Sequence, residues 1–209
     1  MSPAAEPTGR LVLLRHGETE WSRDGRHTGR TDLPMTADGE RDARRLRPRL
    51  AAFDLTLVLC SPLSRARRTA ELAGLDPVPD DDLVEWDYGG YEGRTTSEIR
   101  QSLGDPSWTV FGKGVVSGDT PGETVEEVAA RASRVLTRVA EPLQRGDVAL
   151  VAHGHLLRIL AATYLRQDAR FGAHLLLEAG ALCVLGHERD VPALRSWNDT
   201  GGSRTDTGG

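Results

Sequence analysis

Three short runs of apolar residues, without polar alternation, are spaced along the chain. They are residues 10–14 (RLVLL), 55–60 (LTLVLC) and 148–152 (VALVA). A strand that is covered on both faces has this continuous apolar pattern, whereas a half-exposed strand alternates between apolar and polar residues. We therefore predict three buried β-strands, with weaker strands near 181–187 and 192–197 as late additions.

Between the strands, apolar residues recur every three or four positions, which is the spacing of a helix with one buried face. The first such helix has Thr36 as its predicted N-cap. Its apolar stripe consists of Ala43, Leu46, Leu50 and Phe53. A second helix is predicted to begin with Ser61 as N-cap and Pro62 at its first position. Two further helices are predicted over 123–144 and 155–165.

Strands that alternate with helices of this length form βα units. The predicted fold class is therefore α/β, a three-layer α/β/α sandwich with a mainly parallel central sheet. Residues 1–9 are rich in Pro and Ala, and residues 198–209 contain no apolar residue, so both are predicted to be flexible tails. Residues 10–197 form the single predicted domain, since no linker or internal repeat divides them.

Composition and charge narrow the classes of partner and the location. The chain has 26 Lys plus Arg against 31 Asp plus Glu, a net charge of −5 that does not favour nucleic acid. No window is apolar enough to cross a membrane, and the first ten residues lack the apolar core of a signal peptide, so a cytoplasmic location is expected. The two cysteines, Cys60 and Cys183, are too few for a disulfide framework and are expected to be reduced.

Each of the three predicted strands is followed at once by a polar cluster. These clusters begin at Arg15, Ser61 and His153. In open α/β sheets, ligands bind beyond the carboxyl ends of the strands, so the three clusters are expected to converge on one cleft. Two arginines, two histidines and the N-terminal N–H groups of the helices that begin there suit this cleft to an anion, most plausibly phosphate.

Four blocks of sequence resemble the signature blocks of the histidine phosphatase superfamily, which contains phosphoglycerate mutases and many phosphomonoesterases. The blocks are residues 14–19 (LRHGET), 60–70 (CSPLSRARRTA), 85–93 (EWDYGGYEG) and 151–154 (VAHG). They occur in the family's order and on matching predicted elements. The resemblance therefore extends over most of the chain, and it implies both the fold and a phosphoryl-transfer chemistry.

By this resemblance, His16 is the nucleophile that attacks phosphorus and carries a transient phosphoryl group, a role that a neutral imidazole can fill near neutral pH. Arg15 and Arg65 would bind the nonbridging oxygens, and a protonated His153 would add a third positive donor. Glu85 would protonate the leaving oxygen and later take a proton from water.

Ser22, Thr28 and Gly154 are expected to bind the phosphate, although asparagine is common in the family at the position of Ser22. No cofactor is implied. The pair His153 and His155 could suggest a metal, but no third ligand is evident and His155 is expected to point elsewhere on its helix, so no metal is predicted.

Several neighbouring residues have plainer interpretations. Glu85 competes for the acid role with Asp81, Asp82, Asp87 and Glu92. Trp86, Tyr88 and Tyr91 are expected to be packing residues. Cys60 is separated from Arg65 by four residues, whereas the loop of the cysteine-dependent phosphatases needs five. The glycine-rich segment 112–122 lacks the lysine of a nucleotide P-loop and is instead interpreted as a mobile substrate loop.

The predicted function is metal-independent hydrolysis of a small phosphate ester, such as a sugar phosphate, through a phosphohistidine. A phosphoglycerate mutase is one alternative, although the segment between Glu85 and His153 lacks the Arg-, Tyr- and Lys-rich insertion of the cofactor-dependent mutases. A non-catalytic protein that binds a phosphorylated ligand is another, but binding alone would not need Glu85. The late strands could leave a sheet edge suited to forming a homodimer.

Overall fold

The computed structural model describes residues 9–202, and a six-stranded sheet runs through its centre. The strands are β1 (Leu11–Arg15), β2 (Leu55–Cys60), β3 (Val78–Pro79), β4 (Asp147–Ala152), β5 (Leu182–Glu188) and β6 (Val191–Asp199). Their order across the sheet is β3-β2-β4-β1-β5-β6. The first four in this order are parallel, while β5 and β6 are antiparallel to their neighbours. The prediction of a mainly parallel sheet is confirmed.

Helices cover both faces of this sheet. They are α1 (Glu20–Arg23), α2 (Ala37–Leu50), α3 (Ser64–Leu72), α4 (Thr96–Leu103), α5 (Val110–Lys113), α6 (Val125–Val139) and α7 (Gly154–Tyr164). Three short 3-10 turns lie at Asp81–Leu83, Pro142–Gln144 and Ala169–His174. Apolar residues of α2 and α3 form one core cluster, and those of α6 and α7 form the other, so the three predicted layers are present.

The central strand β1 shows why its sequence is apolar throughout. Leu11 and Leu13 belong to the cluster of α6 and α7, whereas Val12 and Leu14 belong to the cluster of α2 and α3. Successive side chains of a strand point to opposite faces, so burial on both faces requires an unbroken apolar run. This strand carries the loop with the first polar cluster at its carboxyl end.

The helix starts were predicted with mixed success. Thr36 is the N-cap of α2, and its hydroxyl accepts from the Gly39 N–H at 3.1 Å. Helix α3, however, begins at Ser64 with Leu63 as N-cap, so the assignment of Ser61 and Pro62 to the helix start was wrong. The Ser61 hydroxyl instead accepts from the Leu63 N–H at 3.3 Å and lies 2.8 Å from His153 Nε2.

The ends of three elements also differ from prediction. Helix α2 ends at Leu50, so Phe53 packs against the same core from the following turn. Helix α6 ends at Val139 and is followed by a separate 3-10 turn, because Pro142 lacks an N–H to continue the helix. Helix α7 lies within one residue of its predicted range.

The folded part is slightly longer than the predicted domain. Gly9 is buried and its N–H donates to the Leu143 carbonyl at 2.9 Å, and β6 runs to Asp199. The remainder of the two predicted tails, residues 1–8 and 203–209, lies outside the described residues. Strand β6 forms one edge of the sheet, and the homodimer stays a prediction. Within residues 9–202, no helix has the length and apolar character needed to span a membrane.

Candidate active site

The carboxyl ends of β1, β2 and β4 meet at one edge of the sheet, as expected from the sequence. The His16 N–H donates to the Ala152 carbonyl at 3.0 Å, and the Ser61 N–H donates to the Val151 carbonyl at 2.9 Å. Residues that follow three distant strands are therefore brought together by the sheet itself. A cavity of about 230 Å³ opens at this edge.

Six of the eight residues predicted for the site line this cavity. They are Arg15, His16, Ser22, Thr28, Glu85 and Gly154. The other two, Arg65 and His153, are fully buried beside it and are not part of its lining. The structure thus separates the predicted set into residues that line the cavity and residues that are buried beside it.

The imidazole of His16 is held in one tautomer. It is 4% exposed, and its Nδ1 lies 2.7 Å from the Gly17 carbonyl oxygen, which can only accept a hydrogen bond. The proton is therefore on Nδ1, and Nε2 carries the free lone pair. Burial lowers the pKa of His16 well below its ordinary value, and the positive charges of Arg65 and Arg15 lower it further. His16 is consequently a neutral imidazole at neutral pH, and its role as nucleophile stays a prediction.

Arg15 lies against the start of α7. Its guanidinium donates to the Leu177 carbonyl oxygen, and a Cβ added to Gly154 would lie only 3.2 Å from the Arg15 Cζ. The absence of a side chain at Gly154 is therefore what allows the guanidinium to occupy this place beside the cavity. This contact gives Gly154 a positioning role toward Arg15, whereas its predicted contact with phosphate stays a prediction.

Arg65 supports the cavity from behind. Its Nη1 donates to the Thr31 carbonyl at 2.8 Å, its Nη2 to the Gly29 carbonyl at 3.0 Å, and its Nε to His153 Nδ1 at 3.2 Å. These bonds use most of the five N–H donors of a guanidinium. Arg65 therefore ties the loop that contains Thr28 to the end of β4, and its predicted contact with the phosphoryl oxygens stays a prediction.

His153 is neutral in this structure. Its Nδ1 accepts from Arg65, so the proton lies on Nε2, which donates to the Ser61 hydroxyl at 2.8 Å. Burial lowers the pKa of His153 well below its ordinary value, and the positive charges of Arg65 and Arg15 act in the same direction. In this structure the ring is a neutral imidazole, whereas the resemblance implied a third positive donor only for a protonated His153.

Glu85 is bound to the first turn of α7. Its Oε1 accepts from the N–H groups of Trp86 and Leu156, each at 2.9 Å, and its Oε2 accepts from the His155 N–H at 3.0 Å. A carboxylate at a helix N-terminus is favoured both by these orphan N–H groups and by the helix dipole. The carboxyl group therefore has a fixed position on the cavity wall.

The N-terminal N–H groups of α3 are also bound by a carboxylate of the chain. The Ser64 N–H donates to Asp32 Oδ1 at 2.9 Å, just as the first N–H groups of α7 donate to Glu85. Three of the helix N-terminal N–H groups expected to bind the anion therefore already have carboxylate acceptors that are distant in sequence.

The hydroxyls of Ser22 and Thr28 bond to the backbone near the cavity. Ser22 Oγ donates to the Thr19 carbonyl at 3.0 Å and accepts from the Thr19 N–H at 2.9 Å, which completes the capping box of α1. Thr28 Oγ1 donates to the Arg26 carbonyl at 3.1 Å. Each hydroxyl keeps a lone pair for a further donor, and phosphate binding by both residues stays a prediction.

The family model of the histidine phosphatase superfamily (branch 1) matches residues 11–200. The chain belongs to this superfamily. It is 37% identical to an acid phosphatase of Mycobacterium tuberculosis, over 92% of this chain and 93% of that protein. It is 35% identical to the sedoheptulose 1,7-bisphosphatase of Saccharomyces cerevisiae, over 75% of this chain and 68% of that protein. A probable phosphoglycerate mutase of Escherichia coli, GpmB, is 33% identical over 90% and 89% of the two chains.

Solved structures show the same relationship. The product of a Mycobacterium tuberculosis open reading frame superposes with a TM-score of 0.87 at 36% identity, covering 93% of this chain and 99% of that one. A putative alpha-ribazole-5'-P phosphatase of Escherichia coli superposes with a TM-score of 0.77 at 28% identity, covering 92% and 97%. The resemblance seen in the sequence is confirmed. The relatives named as phosphatases support a phosphatase, and the relative named as a mutase also allows transfer between hydroxyls.

Three of the four acidic rivals of Glu85 have partners elsewhere in this superfamily member. Asp82 pairs with Arg138 at 2.7 Å. Asp87 accepts from the Gly89 N–H and Glu92 from the Gly29 N–H, each at 2.9 Å. Among the described residues, Glu85 is the one acidic residue in the cavity lining. The carboxyl group predicted to be the acid is therefore on the cavity wall, and its acid role stays a prediction.

Eight lining residues were not assigned to the site in the sequence analysis, and three of them lie on or against α7. His155 was expected to point away, but it lines the cavity, and its Nδ1 lies 2.6 Å from the Tyr88 hydroxyl. Tyr88, predicted to be a packing residue, is 1% exposed and also contributes to the wall. Arg158, one turn further along α7, is the third. Residues three or four apart share one helix face, so Gly154 was the signal that could have indicated Arg158.

Neither a metal site nor a reactive cysteine is evident among the described residues of this superfamily member. Among residues 9–202, no three His, Cys, Asp or Glu side chains form a group that could hold a metal ion, and metal independence stays a prediction. Cys60 and Cys183 are buried free thiols. Burial raises the pKa of each to about 12, so both are protonated thiols at neutral pH, as expected of core residues.

Proposed function

We propose that this protein hydrolyses small phosphate monoesters, such as sugar phosphates, through a phosphohistidine on His16 and without a metal. The observation that carries this proposal is the bond between His16 Nδ1 and the Gly17 carbonyl oxygen at 2.7 Å. It leaves the Nε2 lone pair as the nucleophile, on a residue that lines a cavity also lined by Arg15 and Glu85. The similarity to an acid phosphatase and a sugar bisphosphatase supports a hydrolytic reaction.

In the first step, His16 Nε2 attacks phosphorus as the bond to the ester oxygen breaks. Arg15 stabilises the charge that spreads over the nonbridging oxygens in the transition state. Glu85 transfers its proton to the leaving oxygen, which departs as an alcohol. In the second step, the Glu85 carboxylate takes a proton from water while the water oxygen attacks phosphorus. The bond to His16 breaks, and inorganic phosphate and the neutral imidazole are released.

Trapping of the phosphoenzyme tests this proposal. Brief mixing with an ester labelled in its phosphoryl group is expected to leave acid-labile, base-stable label on the wild-type protein and none on His16→Ala. The matched control is His174→Ala, which removes an exposed histidine and is expected to retain the label. Turnover by a folded His16→Ala protein would refute the nucleophile.

Metal independence has its own test. Dialysis against a strong chelator is expected to leave the rate of phosphate release unchanged. Vanadate is expected to inhibit, since it adopts a five-coordinate geometry like that of the transition state. Loss of activity on chelation that one added metal restores would contradict this part of the proposal.

Phosphoryl transfer between two hydroxyls is the second candidate, because a probable phosphoglycerate mutase is among the similar proteins. The two reactions are separated by incubating the protein with 3-phosphoglycerate and measuring both inorganic phosphate and 2-phosphoglycerate. We expect phosphate to be the main product. Formation of 2-phosphoglycerate without phosphate would favour the mutase, and binding of esters without either product would favour a non-catalytic binding protein.

A further inference from the structure

Arg158 lines the same cavity as Arg15, the arginine that flanks His16. Both Gly154 and Arg158 belong to α7 and line the cavity, and they are four residues apart. Four residues of helix rise by about 6 Å and return to nearly the same face. Because the Arg15 guanidinium lies against Gly154, the wall along α7 carries two cationic side chains, Arg15 and Arg158.

The Arg158 guanidinium is held in place but only partly used. Its Nε donates to the Gly172 carbonyl at 2.8 Å and its Nη2 to the Ala173 carbonyl at 3.0 Å. Its Cζ lies 4.7 Å from the centre of the Phe111 ring. These contacts fix the plane of the group while engaging two of its five N–H donors. The remaining donors are available on a residue that lines the cavity.

The charge of Arg158 lacks a close counter-ion. Within residues 9–202, no carboxylate lies within 4.0 Å of it, whereas Arg26, on the same cavity wall, has Glu98 at 3.8 Å. Burial lowers the pKa of Arg158, Glu85 acts against this shift, and Arg15 adds to it. The Glu85 carboxylate is itself bound to backbone N–H groups of α7. A desolvated cation is costly unless an anion pairs with it, and here a ligand can supply that anion.

The environment of Arg158 is also distinct from that of the nucleophile. Arg65 and Arg15 are the cations that lower the pKa of His16, whereas Arg158 is the leading charge that lowers the pKa of His155. Arg158 therefore acts on the part of the cavity beside His155, and it is not among the charges that act on His16.

We propose that Arg158 binds a second anionic group of the substrate, a carboxylate or a second phosphate, while the ester phosphate faces His16. This inference rests on the proposed function, since it assumes that the cavity takes a phosphate ester. It narrows the substrate class to esters with a second anion a few bonds from the ester oxygen. Singly phosphorylated esters without such a group are poorer ligands.

Binding to a protein that cannot turn over tests the subsite. In His16→Ala, we would measure dissociation constants for two matched pairs by calorimetry. The first pair is 3-phosphoglycerate and glycerol 3-phosphate, which differ by a carboxylate in place of a hydroxymethyl group. The second is fructose 1,6-bisphosphate and fructose 6-phosphate. The anion-bearing member of at least one pair is expected to bind more tightly, and the pair that shows this preference identifies the second group as carboxylate or phosphate.

Adding Arg158→Gln is expected to reduce this preference about 10- to 100-fold, the range for hydrogen bonds to charged groups. Arg158→Lys is expected to keep part of it, because the positive charge remains. Arg100→Gln is the matched control, since Arg100 Nε also donates to a loop carbonyl, that of Trp108 at 2.9 Å, but does not line the cavity. In that control, the ratio of the two dissociation constants within each matched pair is expected to stay unchanged.

The outcomes separate this inference from the proposed function. A purely structural role of Arg158 would weaken both members of each pair equally, so an unchanged preference in Arg158→Gln would overturn the inference. A His16→Ala protein with no preference in either pair would overturn it as well. Absence of phosphate release by the wild-type protein on all four esters and on p-nitrophenyl phosphate would instead refute the proposed function, while the binding ratios would still decide the subsite.

Discussion

The Arg65 guanidinium donates its Nε–H to Nδ1 of His153 across 3.2 Å. A guanidinium has donors but no acceptor, so this bond requires a lone pair on Nδ1. The single proton of the neutral ring is then on Nε2 and is directed at the Ser61 hydroxyl. A residue on α3 thereby determines the tautomer of a residue at the end of β4.

His153 is expected to stay neutral through the pH range in which an ordinary histidine titrates. Burial and the charge of Arg65 both lower its pKa well below 6.5. Nitrogen chemical shifts of labelled histidine should therefore show one fixed tautomer from about pH 8 to 5.5, with the signal assigned by its loss in His153→Gln. A titration midpoint near 6.5 for this signal would contradict the arrangement.

The rate should reflect the lowered pKa of His16. Because burial, Arg65 and Arg15 all disfavour the imidazolium, the reactive neutral ring persists below the ordinary histidine pKa. After correction for ionisation of the ester, kcat/KM for p-nitrophenyl phosphate is expected to stay level as pH falls through 6.5. Arg15→Gln removes one of the cations and should move the acid limb to higher pH, besides lowering the rate. An acid limb centred near 6.5 in the wild-type protein would show that His16 is not held as described.

The sequence predicted those elements whose apolar residues form a clear pattern, either a continuous run or a helical repeat. Strands β1, β2 and β4 are the three apolar runs, since both faces of the sheet are covered. Strand β3 has two residues and is recognised as a strand by its pairing with Leu59 and Cys60. Two residues are too few to show an apolar pattern in the sequence. Helices α1 and α5 have four residues each, about one turn, which is too short for apolar periodicity to be recognised.

Part of the site was predictable from one rule, that ligands bind beyond the carboxyl ends of the strands in open α/β sheets. The rule predicted that His16 and His153 lie close together. In the structure their rings are in contact, and β1 pairs directly with β4. The rule could not foresee that Glu85 would take the first N–H groups of α7, because that contact spans 70 residues of sequence. Nor could it separate Arg65, which faces the protein interior, from Arg15, which faces the cavity. The direction in which such a side chain points depends on how the neighbouring helix lies on the sheet.

Gly39→Ala is expected to destabilise the protein although alanine is the better helix former. A Cβ at this position would lie 2.3 Å from the Glu18 carbonyl oxygen and 2.5 Å from the Glu18 nitrogen. The backbone after His16 crosses α2 at this point, so neither side can yield without moving the nucleophile loop. We expect a loss of about 1–3 kcal/mol in the free energy of unfolding, measured by urea denaturation.

Arg41→Ala, on the exposed side of the same helix, is the control and should change stability by less than about 0.5 kcal/mol. Its ion pair with Asp38 is solvent-exposed and contributes little. If Gly39→Ala were as stable as the wild-type protein, the close crossing of α2 and the nucleophile loop would be disproved.

Glu85→Gln is expected to affect both stability and chemistry, and the two effects can be separated. Glu85 Oε1 accepts two N–H groups and Oε2 accepts one, so an amide nitrogen does least harm at the position of Oε2. There it would leave the His155 N–H without an acceptor, at a cost of about 1–3 kcal/mol in the free energy of unfolding. Thermal or urea unfolding measures this loss independently of turnover.

The chemical effect should depend on the leaving group. An alkoxide is a poor leaving group and needs a proton from Glu85, whereas p-nitrophenolate departs without one. In single-turnover measurements of phosphoryl transfer, Glu85→Gln should therefore slow an alkyl phosphate by about 10²–10⁴-fold and p-nitrophenyl phosphate far less. Asp87→Asn removes a nearby carboxylate that does not line the cavity, and it should change both rates by the same small factor. Equal losses for the two esters in Glu85→Gln would mean that the damage comes from the displaced start of α7 and not from a missing proton donor.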